Sequence, residues 1–241
     1  MRENFSSIFV DTAARGDRRD DVENQLRKAT KVFLISWSEW LFMDTVQRRE
    51  SELDDFFWSS SYRIKLCTIL VTLFAGKTVF QLLAYMKRKV TLLEITVESG
   101  ILYPLSFCLL GRSTSRWGDT PFRYYELVLY PVLFLGALYV QLDAEYSRCR
   151  FKSKPENHDK LYQESYFRMC QHINYTCEIV MLVTLSLATG SLLSLLIPLV
   201  CSLRIIMFSI PELNHYLRFR YRDEWVQYRR RTPAQLVPYT F

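Results

Sequence analysis

Apolar residues in this chain come in long blocks separated by short polar stretches, a pattern that fits neither a surface helix of period 3.6 nor an alternating strand. The longest block, Ile179 to Leu203, has twenty-five residues without a formal charge, enough to leave the water. Three more blocks follow the same rule: Ile64 to Met86, interrupted by Lys77; Val90 to Leu110, carrying Glu94, Glu98 and Pro104; and Phe122 to Leu142, with Glu126 near its start and Pro131 inside. Thr189-Gly190-Ser191 divides the stretch Tyr175 to Phe208 into two short arms, the signature of a helical hairpin. Val32 to Val46 is Trp-rich but short and holds Glu39, so it either lies in the interface or crosses with help from tilt. The pattern predicts an all-α, multi-pass transmembrane helical bundle of five to six spans.

The polar stretches set the organisation. Residues 1–31 form a polar N-terminal extension, 32–142 an N-terminal set of transmembrane helices and 143–241 a C-terminal domain. Glu3 and Asp11 argue against a mitochondrial transit peptide, and the absence of an apolar core after Met1 argues against a cleaved signal peptide. Lys87-Arg88-Lys89 makes so short a turn that the spans on either side should pack antiparallel, with Lys77 and Glu98 at similar depth and able to pair. Gly111 to Pro121 reads as a turn-rich loop. Across the hairpin, Glu178 and Arg204 stand at matching depth and can meet.

Composition changes the picture in two places. The six cysteines occur singly, without a C-x-x-C pair, and the three histidines have no ligand spacing, which indicates reduced thiols and no metal site. The net charge of +6 would suit nucleic acid, but it follows the membrane instead. Residues 1–31, 87–89, 143–174 and 204–241 hold 23 Lys and Arg, against seven on the opposite side. That asymmetry places the C-terminus on the cytoplasmic or matrix face, makes membrane lipids the expected partners, and leaves no nucleic-acid role.

Candidate chemistry gathers where the longest block begins. From Tyr166 to Glu178 a polar cluster, with Arg168, His172, Asn174, Tyr175 and Glu178, stands at a membrane boundary where such groups are costly unless used. Asn174 and Glu178 are four apart and share a helix face. Two readings stand side by side: Asn174 caps its helix while Glu178 pairs with an arginine, or the pair belongs to a ligand site.

The same residues carry a family likeness. Gln171-His172-Ile173-Asn174-Tyr175-Thr176-Cys177-Glu178 resembles the R-H-P-N-Y-x-G-E motif of steroid 5α-reductase-like membrane proteins, keeping His, Asn, Tyr and Glu. Glu145 followed seven positions later by Lys152, then Pro155, Asn157 and Lys160, resembles that family's cofactor segment. Tyr216-Leu217-Arg218, Tyr221, Trp225, Tyr228 and the closing Leu236-Val237-Pro238-Tyr239-Thr240-Phe241 resemble its basic, aromatic tail. The likeness covers about residues 143–241 and extends to isoprenylcysteine carboxyl methyltransferases. It implies a reductase of lipid or steroid enones in the endoplasmic reticulum that uses NADP(H). Lys152, His215 and Arg218 would then supply cations for phosphate, and Glu145, Asn157, Asn174 and Glu178 would supply donors and acceptors for amide and ribose, with His172, Tyr175 and Tyr228 beside them. The alternatives are a catalytically inactive accessory subunit of a membrane complex, for example in the mitochondrial inner membrane, and a methyltransferase using S-adenosylmethionine.

Overall fold

The computed structural model describes residues 18–50, 58–85, 90–92, 94–117, 123–157 and 159–237, and within these there is no strand. Helix α1 spans Arg18–Glu50 and α2 Trp58–Ala84; a π-helical segment, Glu94–Leu102, leads into α3, Tyr103–Trp117. Then come α4 (Tyr124–Lys152), α5 (Ile173–Ala188), α6 (Leu196–Arg204) and α7 (Ile210–Arg231), the last two joined by a π-helical turn at Ile205–Ser209. Tyr62–Ala84, Tyr124–Lys152 and Leu192–Arg231 are long and apolar enough to cross a membrane, and Ile173–Ala188 is apolar but shorter. The fold is therefore the expected all-α, multi-pass membrane type, in which helices satisfy their own backbone where lipid cannot. Large apolar side chains stay exposed, among them Ile69, Leu73, Phe80 and Leu83 on one face of α2 and Val128, Val132 and Leu135 on α4.

Two boundaries differ from the sequence pattern. α1 continues well beyond residues 32–46 on both sides, because its inward stripe of Lys31, Ile35, Ser38, Phe42 and Val46 repeats every three or four positions and buries without requiring an apolar outer face. The expected loop from Gly111 to Pro121 is helical as far as Trp117, and residues 118–122 lie outside the described residues: Gly111 lies inside α3 and forms a contact surface instead of a turn. The Lys87-Arg88-Lys89 turn lies outside the described residues.

The described chain forms two compact units. The first comprises Met1–Leu127 with Leu185–Leu195. Here α1 packs along α3, and a methyl group built on Gly111 would stand 3.2 Å from Thr45 Cβ, so the two backbones approach as closely as glycine allows. The polar face of α1 clamps the chain leading into the π-helix. Asn24 Oδ1 accepts the Val90 N–H at 3.0 Å, Arg27 donates to the Val90 carbonyl at 2.8 Å, and Lys31 pairs with Glu98 at 3.1 Å. Glu98 thus finds a cation on α1, a helix whose depth the block pattern did not define. Arg63, buried near the start of α2, donates to the Ala188 carbonyl at 2.9 Å and to Glu126 at 3.2 Å, ending α5 and anchoring the entry of α4. Gly190, at φ 77°, turns the hairpin where its residues were expected to, and the hydroxyls of Thr189 and Ser194 both donate to the Ser186 carbonyl.

The second unit comprises Val128–Thr184 with Leu196–Phe241. It is held by the polar connector after α4 and the tail after α7. Tyr228 donates its hydroxyl to the Phe167 carbonyl at 2.7 Å, the backbone N–H groups of Gln171 and His172 donate to Ala234 and Gln235, and Thr176 Oγ1 donates to the Leu236 carbonyl. Connector and tail lie together, as the distribution of positive charge implies.

Candidate functional site

The three expected carboxylate and amide side chains meet because two helices carry polar residues one turn apart. On α4, Gln141 and Glu145 share a face; on α5, Asn174 and Glu178 do the same. Gln141 Nε2 donates to Glu178 at 3.0 Å and to the Asn174 carbonyl at 3.2 Å, while Asn174 Nδ2 donates to Glu145. Glu145 also accepts from Arg148 at 2.5 Å. Asn174 sits within the first turn of α5, so its side chain bridges helices instead of capping its own. Glu178 is bonded by Gln141, a residue to which no role is assigned in the motif.

The carboxylates decide the orientation of both amides, since only an NH2 group can face them. That leaves two acceptors, Gln141 Oε1 and Asn174 Oδ1, shielded from solvent and without a protein partner. A buried carbonyl left unsatisfied costs about 1–3 kcal/mol, so this face is complementary to a group rich in N–H or O–H donors. Two carboxylates and two amide oxygens make it acceptor-rich.

Around this core the other expected residues separate into two sets. His172 is buried, its Nε2 lies 3.0 Å from Asn214 Oδ1, and its ring leans on Tyr175 at 5.8 Å between centroids. Burial pushes its pKa down to about 4, with the Asn214 hydrogen bond opposing and the charge of Arg229 assisting, so the imidazole is neutral at pH 7. Lys152 ties connector to tail: its ammonium reaches the Lys160 carbonyl at 2.5 Å and the Tyr221 hydroxyl at 2.9 Å. Asn157 donates to the Phe151 carbonyl, closing the same turn. Tyr228 is buried behind its bond to Phe167, whereas His215 and Arg218 lie on the exposed face of α7. The structure thus brings Glu145, Asn174 and Glu178 together, sets His172 and Tyr175 one turn away, and leaves His215 and Arg218 apart from them.

Gln141, Arg148 and Asn214 bond these residues and have no place in the motif. Gln141 was findable: it precedes Glu145 by four positions, the spacing of Asn174 and Glu178. Gln171, whose amide donates to the Thr232 carbonyl at 2.7 Å, replaces the motif's arginine and depends on a contact sixty-one residues away that no local pattern announces.

A family described as "Protein of unknown function (DUF1295)" matches residues 99–232, more than half of the chain. No curated protein matches it.

Proposed function

The chain belongs to the DUF1295 family, and on that premise we propose that it is an integral membrane reductase that uses NADPH to saturate the enone of an apolar lipid. The observation that carries this reading is the pair of buried, unpartnered oxygens on Gln141 and Asn174, set between the carboxylates of Glu145 and Glu178. A carboxamide NH2 and ribose hydroxyls are the donors such a face calls for. Bound there, the nucleotide would supply a hydride to the β-carbon of the enone, with a proton completing the α-carbon. Gln141 and Asn174 would orient the carboxamide, Glu145 and Glu178 would hold the amides in place, and His172, neutral and fixed by Asn214, would shape the adjoining wall. The apolar faces of the helices favour a lipid substrate; the excess of Lys and Arg on one side supports a C-terminus on the cytoplasmic side, and the resemblance to steroid 5α-reductase-like proteins supports the endoplasmic reticulum as location.

Calorimetric titration of the purified protein tests this. Wild type should bind NADPH with an affinity on the order of micromolar, and Asn174→Ala should bind at least about tenfold more weakly, equivalent to about 1.4 kcal/mol. No binding by the wild type overturns the proposal.

One observation favours a second reading, an accessory subunit of a larger membrane assembly such as those of the mitochondrial inner membrane. Lys152, Asn157 and Tyr228 are all engaged in bonds that hold connector and tail together, and His215 and Arg218 do not converge on the polar core. Under this reading the polar core is architectural, and the protein copurifies with other membrane subunits while NADPH leaves its melting temperature unchanged.

A further inference from the structure

The connector and tail border a half-open cavity of about 520 Å3 that belongs to neither reading above. It is lined by Phe151, Leu161, Gln163, Glu164, Arg168, Tyr228, Arg231 and Thr232; of the residues attributed to the cofactor, only Tyr228 borders it. Its walls are tied together. Thr232 Oγ1 donates to the Arg168 carbonyl, Tyr228 to the Phe167 carbonyl and Gln171 to the Thr232 carbonyl, so the two arginine-bearing segments are laced along their length.

The charges in this cavity have both signs. Among the described residues neither Arg168, Arg231 nor Glu164 makes an ion pair, although all three border one space. Two guanidiniums are suited to the oxygens of a phosphodiester, and arginine does this with a fixed fork of donors. The lone carboxylate would repel a polyphosphate but suits an ammonium, which the Phe151 and Tyr228 rings can also face. Location narrows the source. Phe151 stands nine residues beyond Leu142, where the apolar block of α4 ends, and Arg168 precedes the apolar helix α5 by five positions, so the cavity lies in the polar layer outside the hydrocarbon edge, on the side where headgroups stand.

We propose that this cavity is a binding site for a zwitterionic phosphodiester headgroup, with phosphate on Arg168 and Arg231 and ammonium on Glu164. Charge complementarity, and not apolar area, sets its preference: zwitterionic lipid binds ahead of a lipid that is anionic only. The protein therefore carries a bound lipid at its polar layer, independent of any nucleotide.

The test uses the full-length protein in detergent, titrated with dihexanoyl phosphatidylethanolamine and dihexanoyl phosphatidylglycerol and followed by thermophoresis. Wild type should bind the ethanolamine lipid about tenfold more tightly than the glycerol lipid. Arg168→Gln with Arg231→Gln should lose both lipids at least tenfold, and since both side chains are exposed the variant should melt within a few degrees of wild type. Glu164→Gln should keep the glycerol lipid and lose the preference, which reads the site even where the double variant fails to fold. Soluble glycerophosphoethanolamine separates the sources: if it fails to compete, the ligand is a lipid; if it competes fully, the same site takes the free phosphodiester. Equal affinity of wild type for the two lipids, or unchanged binding by the folded arginine double variant, overturns the proposal.

Discussion

The Gln141 amide nitrogen lies 3.0 Å from a carboxylate oxygen of Glu178, joining α4 to α5 across thirty-seven residues of sequence. The same nitrogen also reaches the Asn174 carbonyl, so one side chain on α4 orients both polar residues of α5. Gln141→Leu removes both bonds to a buried site, and a destabilisation of about 2–3 kcal/mol is expected, read as a lowered melting temperature in detergent. Gln141→Glu should cost more, because it sets a third carboxylate beside Glu145 and Glu178. A melting temperature unchanged in both variants would remove Gln141 from the core of the site.

Buried Arg63 bonds both the end of α5 at Ala188 and the carboxylate of Glu126. Arg63→Met should destabilise by about 3–5 kcal/mol, since a buried pair broken on one side leaves the remaining charge uncompensated. Adding Glu126→Gln should return part of that loss. Denaturation of the single and double variants measures the coupling, and simple additivity of the two losses would show that the pair contributes nothing jointly.

His172 makes stability depend on pH in one direction. Its folded pKa of about 4 lies below its ordinary 6.5, because burial disfavours the imidazolium. Above 6.5 the ring is neutral in both states and the full stability is present; as pH falls from 6.5 towards 4 the unfolded chain takes up a proton that the folded chain refuses. Stability is therefore lost across that window, by roughly 3 kcal/mol in all. His172→Gln, which can still reach Asn214, should flatten the profile of melting temperature against pH between these limits.

At Gly111 the constraint is space. A methyl group there meets Thr45 Cβ at 3.2 Å and the Phe42 carbonyl at 3.4 Å, so Gly111→Ala should be felt and Gly111→Val should force α1 and α3 apart. The expected cost for valine is about 1–3 kcal/mol. Thr45→Ala should relieve it, which thermal melts of the single and double variants would show.

Much of the fold was readable in the chain itself. Uninterrupted apolar blocks can be stable only as helices in lipid, whose backbone groups find partners locally, so membrane class, helix identity and the hairpin at Gly190 needed no tertiary information. The face shared by Asn174 and Glu178 was readable for the same reason, since four-residue spacing acts within one helix. What those side chains bond was not. Glu178 bonds Gln141 and Glu98 pairs with Lys31, partners that spacing did not announce, because spacing sets depth along a helix axis but not which neighbours stand beside it. Helix packing supplied those partners. It extended α1 past its apolar stretch, turned Gly111 from a turn residue into a contact surface, set Lys152 against Tyr221 of α7, and brought Arg168 and Arg231, sixty-three residues apart, to the rim of one cavity. Local pattern sets which residues must be satisfied, and only the packed structure sets by whom, because a partner's free energy depends on distances that sequence separation does not encode.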